Sequence, residues 1–346
     1  MALPGFQDFL EIGRGSMGVV YRATQQCLDR PVAIKTIPAG FFDEQTRKER
    51  LKQLAFEGKL LASLSPHGNV LQVHAMAWDI WGNQALVFEF VEGDSLRNLL
   101  QETGLPTWVQ SLGLARQVAR GLRHVHSEGV VHRDIKPANL MVNRRGTLKI
   151  MDFGVAFRMG EMGLNPAGCS RVGTPLYMAP EVVLADPAVD HRADLYSLGV
   201  LIFQLLCGRP PFMSDSGFET AQMHLHARPP KPRSLAPDLP EEIEAFLLKA
   251  LAKDPGARFQ SAAEMLAEID RLLELLGYRK SLEGPAGSVS VALTGNRTEL
   301  CATLPADTSF PARDGAKTTS ADPGKPPADP PDPPQSSTFR AREIAL

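Results

Sequence analysis

The stretch that most constrains this chain runs from Val131 to Gly154. It reads Val131-His132-Arg133-Asp134-Ile135-Lys136-Pro137-Ala138-Asn139-Leu140-Met141-Val142 and then, a few residues on, Ile150-Met151-Asp152-Phe153-Gly154. Each polar residue has a use where a phosphoryl group is moved. Asp134 can accept a proton from an attacking hydroxyl, and Lys136 can neutralise the group in transit. Asn139 and Asp152 offer hard oxygens suited to magnesium, which tolerates few protein ligands and wants phosphate oxygens besides. Packing requirements alone do not assemble such a loop.

A second feature lies near the start, in Ile12-Gly13-Arg14-Gly15-Ser16-Met17-Gly18-Val19-Val20. Alone, the Gly-x-Gly-x-x-Gly pattern suits a dinucleotide fingerprint, a phosphate loop between strands, or an ordinary turn. A dinucleotide fingerprint leads straight into a helix, whereas Val19-Val20-Tyr21 reads as a strand. Glycines between two strands let the backbone approach phosphate oxygens closely. One hairpin later comes Val32-Ala33-Ile34-Lys35. A lysine ending an apolar strand is usually a solvated edge residue. Near phosphates it needs a carboxylate to hold its ammonium, and Glu44, Glu49 and Glu57 are candidates. Glu57 is preferred, because Leu61 one turn later shares its inward face; without Lys35 it would read as a surface carboxylate.

Together these motifs resemble those of the eukaryotic-like, bacterial-type serine/threonine protein kinases, over nearly the whole stretch from the glycine loop to Leu276. Further anchors are Gly173-Thr174-Pro175-Leu176-Tyr177-Met178-Ala179-Pro180-Glu181, Asp194-Leu195-Tyr196-Ser197-Leu198-Gly199 and Asp254-Pro255-Gly256-Ala257-Arg258-Phe259. Met17 stands where an aromatic is common, and Pro66-His67-Gly68-Asn69 is a slightly altered turn. The resemblance implies an α+β, bilobal protein-kinase fold with ATP bound between the lobes. It implies protein acceptors with Ser or Thr hydroxyls, autophosphorylation, and ATP and Mg²⁺ as the small-molecule requirements. Residues Ile12 to Val20 would cover the nucleotide, and Val20, Ala33 and Met141 would sandwich the adenine. Phe88 would stand at the back, and the backbone of Glu89 and Val91 would read the adenine edge. Asp94 or Ser95 would reach the ribose. Lys35, held by Glu57, would orient phosphates; Asn139 and Asp152 would hold the metal; Asp134 and Lys136 would act at the acceptor, with Thr174 nearby. Glu181 would pair with Arg258, and Asp194 would brace the catalytic loop. A binding module with a dead cleft would have lost Lys35, Asp134 or Asp152, and all three are present. Small-molecule kinases lack the Ala179-Pro180-Glu181 segment.

Hydrophobic periodicity predicts strands at residues 19–21, 32–34, 70–73 and 85–88, with a Gly82-Asn83 hairpin turn before the last. Helices are predicted over 46–64, 107–127, 191–207, 241–253 and 261–276. The expected division is a short leader (1–8) and a kinase domain (9–278). That domain comprises a sheet-rich lobe to 88, a hinge over 89–94 and a helical lobe from 95. A disordered tail (279–346) follows, rich in Pro, Ala and Thr. Lys+Arg total 37 against Asp+Glu 39, which argues against nucleic acid as the main partner. No run approaches the roughly 18 apolar residues of a membrane span. Cys27, Cys169, Cys207 and Cys301 form no Cys-x-x-Cys pair, so neither zinc nor a disulfide framework is expected. The expected location is cytoplasmic.

Two regulatory expectations complete the reading. Between Gly154 and Gly173 the only hydroxyl is Ser170, which makes it the expected phosphosite, drawn by an Arg133 without a partner and by Arg158 and Arg171. Threonines of the tail (Thr294, Thr298, Thr303, Thr308, Thr318 and Thr319) lie in polar contexts open to a kinase or a phosphothreonine-reading partner. A passive linker is the equal alternative.

Overall fold

The computed structural model describes residues 2–15, 18–159 and 175–277. Ser16, Met17, Ser170, Arg171, Thr174 and the tail from 278 lie outside the described residues. The N-terminal lobe is an antiparallel sheet of order β1-β2-β3-β5-β4. Its strands are β1 (Phe6–Gly15), β2 (Gly18–Gln25), β3 (Arg30–Thr36), β4 (Val73–Trp78) and β5 (Gln84–Glu89). β1 begins inside the residues read as a leader, and Leu3 ahead of it is buried against Ala23, Val32 and Ile34. The turn at Gly82-Asn83 forms where expected. The Asp79 carboxylate accepts the Trp81 and Asn83 N–H groups there.

The strand expected at 70–73 is displaced. β4 starts only at Val73, because Asn69 to Leu71 pair with the other lobe. The Leu71 N–H donates to Ile150 O, and the Ile150 N–H donates to Asn69 O, both at 2.9 Å. The Asn69 side chain also donates to Leu148 O at 2.8 Å. Hydrophobicity marked the stretch as extended but could not show which lobe would take its hydrogen bonds.

One long helix, α1 (Glu44–Ala62), packs on this sheet, capped by an Asp43 carboxylate that accepts the Thr46 N–H. It lies close to β5 because residue 58 is glycine: a Cβ there would come within 2.5 Å of Leu86 Cδ2. That approach fixes where its neighbour Glu57 can reach.

After β5 the chain passes into a helical lobe through β6 (Gly93–Ser95) and α2 (Leu96–Thr103). α3 (Trp108–Ser127) starts in a capping box made by Thr107 and Gln110. The short strands β7 (Val130–Val131), β8 (Leu140–Asn143), β9 (Leu148–Ile150) and β10 (Phe157–Arg158) carry the segments between Val131 and Gly154. They form the sheets β6-β8-β9 and β10-β7. Then follow α4 (Pro180–Val183), α5 (Arg192–Cys207), α6 (Gly217–His226), α7 (Pro232–Leu235), α8 (Glu241–Ala250) and α9 (Ala262–Leu275). α5 is the centre of this lobe: from Ala193 to Phe203 every side chain is buried. A helix apolar around most of its circumference has no solvent face to present. It ends at Gly208 in the left-handed conformation, ahead of Pro210 and Pro211. Among the described residues no helix is long and apolar enough to cross a membrane.

Candidate active site

Strand alternation puts Lys35 in the cleft. In β3, Val32, Ile34 and Thr36 are buried on one face, so Ala33 and Lys35 take the other. Val20 and Leu86 lie opposite Lys35, and Phe88 lies opposite Ala33, so all five share that face. Val19 does not. It points to the opposite side and is fully buried, so of Val19 only the backbone can border the nucleotide site. Arg14 also turns away, pairing with Glu11 at 2.6 Å. The glycines that bring β1 and β2 together, Gly15 opposite Gly18, flank the loop tip.

Lys35 is held twice. Its Nζ donates to Glu57 Oε2 at 2.8 Å and to Asp152 Oδ1 at 3.3 Å. Burial works against the ammonium, but the two carboxylates outweigh it and push the lysine up, so it stays charged. Burial pushes the Asp152 carboxyl up as well, yet Lys35 more than offsets this and holds it below the usual carboxylate range. Burial leaves the Glu57 carboxyl raised, with Lys35 pulling back only in part. Two carboxylates share one ammonium, so further positive charge is welcome here.

The loop from His132 to Asn139 hangs from Asp194 on α5. This wholly buried carboxylate accepts the His132 N–H at 2.9 Å and the Arg133 N–H at 2.7 Å, with His126 Nε2 at 2.8 Å. Burial pushes the Asp194 carboxyl up, but the His126 contact and the backbone N–H outweigh it and hold it low. These bonds fix Arg133 at a φ of 64°, a strained conformation tolerated where surrounding structure over-determines it. Asp134 follows. Its Oδ2 accepts from Lys136 Nζ at 2.7 Å and from Asn139 Nδ2 at 2.8 Å. No described residue donates to Oδ1, which leaves one oxygen for an incoming hydroxyl.

The same bonds orient Asn139. Its Nδ2 is committed to Asp134, so its amide oxygen is the free end. Asp152, at a φ of 65°, keeps one oxygen beyond the Lys35 contact. Among the described residues no group of three or more His, Cys, Asp or Glu could hold a metal alone. The pair of hard oxygens from Asn139 and Asp152 fits an ion that completes its shell with phosphate oxygens, as magnesium does.

The adenine edge has a matching test. Val91 is buried, yet its N–H and C=O make no backbone bond with any described residue outside the regular elements. Peptide groups without a protein partner are free to bond a ligand. The Glu89 side chain faces the rear of the hinge, accepting from Lys149 Nζ and the Gln72 N–H at 2.8 Å each. Only its backbone could serve adenine. Met141 is half-buried on β8, and Phe88 is buried.

Two expectations about charges are corrected. Arg133 is not partnerless: its guanidinium donates to Val155 O at 2.8 and 2.5 Å and lies over the Phe157 ring at 4.6 Å. Arg158 faces the helix ends, donating to Ser63 Oγ at 2.6 Å and Glu128 O at 3.1 Å. The sequence reading also missed Gln53, which donates to Gly154 O at 2.8 Å and ties α1 to the segment carrying Asp152. Its signal was helical spacing, one turn before Glu57. Glu181 and Arg258 pair as expected, through two bonds of 2.7 and 2.8 Å with the arginine fully buried.

The protein kinase domain model matches residues 6–268. A probable serine/threonine-protein kinase of Streptomyces coelicolor is 38% identical over 267 residues, covering 76% of this chain and 39% of that protein. The serine/threonine-protein kinase PknB of Mycolicibacterium smegmatis is 33% identical over 301 residues, 86% of this chain and 46% of its own length. For PrkC of Bacillus subtilis the figures are 33% over 266 residues, 76% and 40%. The chain thus spans less than half the length of these relatives. With the motif residues converging on one cleft, the chain belongs to the protein kinase domain family.

Proposed function

We propose that the chain transfers the γ-phosphoryl group of ATP to Ser and Thr hydroxyls of proteins, itself included. The observation that carries this reading is the single cluster in which Lys35 bridges Glu57 and Asp152 while Asp134 keeps one carboxylate oxygen open. Lys35 orients the α- and β-phosphates. Asp134 Oδ1 accepts the hydroxyl proton as the acceptor oxygen bonds to phosphorus, the bond to the β-phosphate oxygen breaks and ADP leaves. Lys136 leaves Asp134 to steady the charge on the moving phosphoryl group. Asn139 and Asp152 hold Mg²⁺, which supplies charge compensation on the phosphates. The backbone of Val91 and Glu89 reads adenine beneath Val20 and Ala33, with Met141 on the other side.

The test is phosphoryl transfer from ATP with Mg²⁺, with phosphosites mapped by mass spectrometry. Asp134→Asn should lower transfer by about 10²- to 10⁴-fold while nucleotide binding persists. Near-normal turnover in that variant would remove Asp134 from its role. Phosphate on Tyr alone would overturn the acceptor class.

The finer parts of the reading have separate supports. The cytoplasm is where ATP and protein acceptors meet. Ser170 is proposed as a phosphosite because no other hydroxyl lies between Gly154 and Gly173. The tail threonines are proposed as sites for a phosphothreonine-reading partner on composition alone. A domain boundary near 278 predicts that truncation after Arg279 leaves thermal unfolding of the core nearly unchanged.

A further inference from the structure

The loop bearing Asp134 and the turn Pro175–Tyr177 are both hung from α5, within one helical turn of each other. Asp194 takes the backbone of the loop, as above. Three residues on, Ser197 Oγ donates to Tyr177 O at 2.7 Å. Tyr196 lies between them and reaches the same turn indirectly. Its hydroxyl is 2.9 Å from His224 Nδ1, and His224 Nε2 is 3.2 Å from Leu176 O. A carbonyl only accepts, so Nε2 carries the proton; Nδ1 is then bare and the Tyr196 O–H donates to it. The chain Tyr196–His224–Leu176 therefore has one polarity and one tautomer.

His224 is built in to keep it so. It is fully buried on α6, with the Phe212 ring edge-on at 5.0 Å and the Tyr196 ring at 5.7 Å. Lys253 Nζ donates to Met223 O and His224 O at 3.2 and 2.7 Å and lies over the Phe212 ring at 4.1 Å. That ammonium fixes the end of α6 and makes a second positive charge on the imidazole unfavourable. At the other end of the helix, Gly217 sits against Pro175: a Cβ there would be 3.6 Å from its Cγ. The turn is thus gripped from α5 by Ser197 and from α6 by His224.

Granting the kinase reading above, we infer that His224 is a positioning residue for the protein acceptor. It fixes the Leu176 carbonyl, and with it the height of the Pro175–Tyr177 turn relative to the Asp134 loop carried by the same α5. The acceptor backbone is presented to Asp134 at that height. The nucleotide residues hang from β3, α1 and the hinge, so loss of His224 should spare ATP.

Steady-state kinetics with myelin basic protein as the probe acceptor decide this. His224→Met keeps an apolar side chain of similar reach but no donor. It should raise the acceptor KM by about five- to tenfold, the scale of one half-buried carbonyl losing its hydrogen bond, with the KM for ATP unchanged within twofold. His224→Gln carries an amide N–H at the Nε2 position and should restore the acceptor KM to within about threefold. Hydrogen exchange should show faster exchange across residues 176–178 in His224→Met and not in His224→Gln. If His224→Met does not fold, Tyr196→Phe reads the same chain with a smaller rise of the same sign. An unchanged acceptor KM, equal rises for acceptor and ATP, or no rescue by glutamine would overturn the inference while leaving the kinase assignment standing. A wild type that transfers no phosphate from ATP would instead overturn the kinase reading, and this inference with it.

Discussion

Single residues here act through what they leave open as much as through what they bind. Asn139 spends its amide nitrogen on Asp134 and so turns its oxygen outward; Lys136 and Asn139 occupy one oxygen of Asp134 and so leave the other. Lys35 depends on Glu57 for the same kind of reason, since burial alone disfavours its ammonium. Glu57→Gln should therefore lower kcat/KM about 10- to 100-fold, the value of one charge-assisted hydrogen bond, with the sheet intact by circular dichroism. The buried Arg258–Glu181 pair is structural by comparison. Arg258 also donates to the carbonyls of Ala252, Lys253 and Arg192, so no part of its guanidinium is wasted. Arg258→Met strands the Glu181 carboxylate together with those three carbonyls and should cost about 3–5 kcal/mol in chemical denaturation, whereas replacing Glu181 by Leu as well should recover the carboxylate's share alone. Equal losses in the single and double variants would show that the unpaired carbonyls and packing, not the carboxylate's charge, set the cost.

At the scale of elements, the cleft depends on how closely α1 can lie on β5. Gly58→Ala places a methyl 2.5 Å from Leu86 Cδ2 in a filled core, so either the Leu86 side chain swings aside or the helix lifts and draws Glu57 away from Lys35. The expected loss is about 1–3 kcal/mol, with a larger fall in turnover than in stability. Adding Leu86→Val, which withdraws that methyl, should recover activity; if it does not, helix height is not what Gly58 protects. The elements themselves were largely legible. The spacing of Leu54, Gly58 and Leu61 announced α1, and the motifs named the polar residues of the site, whereas the Asp43 cap that starts α1 ahead of Thr46 went unread. Pairing was not legible. Residues 70–73 read as a strand of the first lobe because apolar alternation carries no partner, yet Asn69 and Leu71 bond to Ile150 far along the chain. Val19 was taken with Val20 as part of one continuous glycine-loop stretch, although adjacent strand residues face opposite ways. Arg133 and Arg158 were read as free charge because backbone acceptors such as Val155 O and Glu128 O are invisible in side-chain chemistry.

The whole molecule carries these local choices into its response to acid. Burial lowers His224 to about 4, and the Lys253 ammonium adds to the effect. An ordinary histidine in the unfolded chain takes its proton near 6.5. Between those values the unfolded chain binds a proton that the folded one refuses, so stability rises with pH across the window and is lost on acidification from about 6.5 to about 4. The loss from this one group is of the order of 3 kcal/mol. His67 and His74 are also lowered, chiefly by burial, and add smaller losses of the same sign. Asp152 and Asp194 act below this range. Their folded values lie under the ordinary carboxylate value, so their contribution persists above it and fades only as pH falls further, through the folded values. Two acid steps should therefore separate, a histidine step above about 4 and a carboxylate step beneath it. Urea unfolding at intervals from about pH 7 to about pH 2 resolves them, and His224→Gln assigns the first. Glutamine keeps the Leu176 bond but cannot titrate, so the variant should lose markedly less stability between pH 6.5 and 4.5 while the step below 4 remains. Identical slopes for wild type and variant across the upper window would mean that His224 takes up its proton in the folded state as readily as in the unfolded chain.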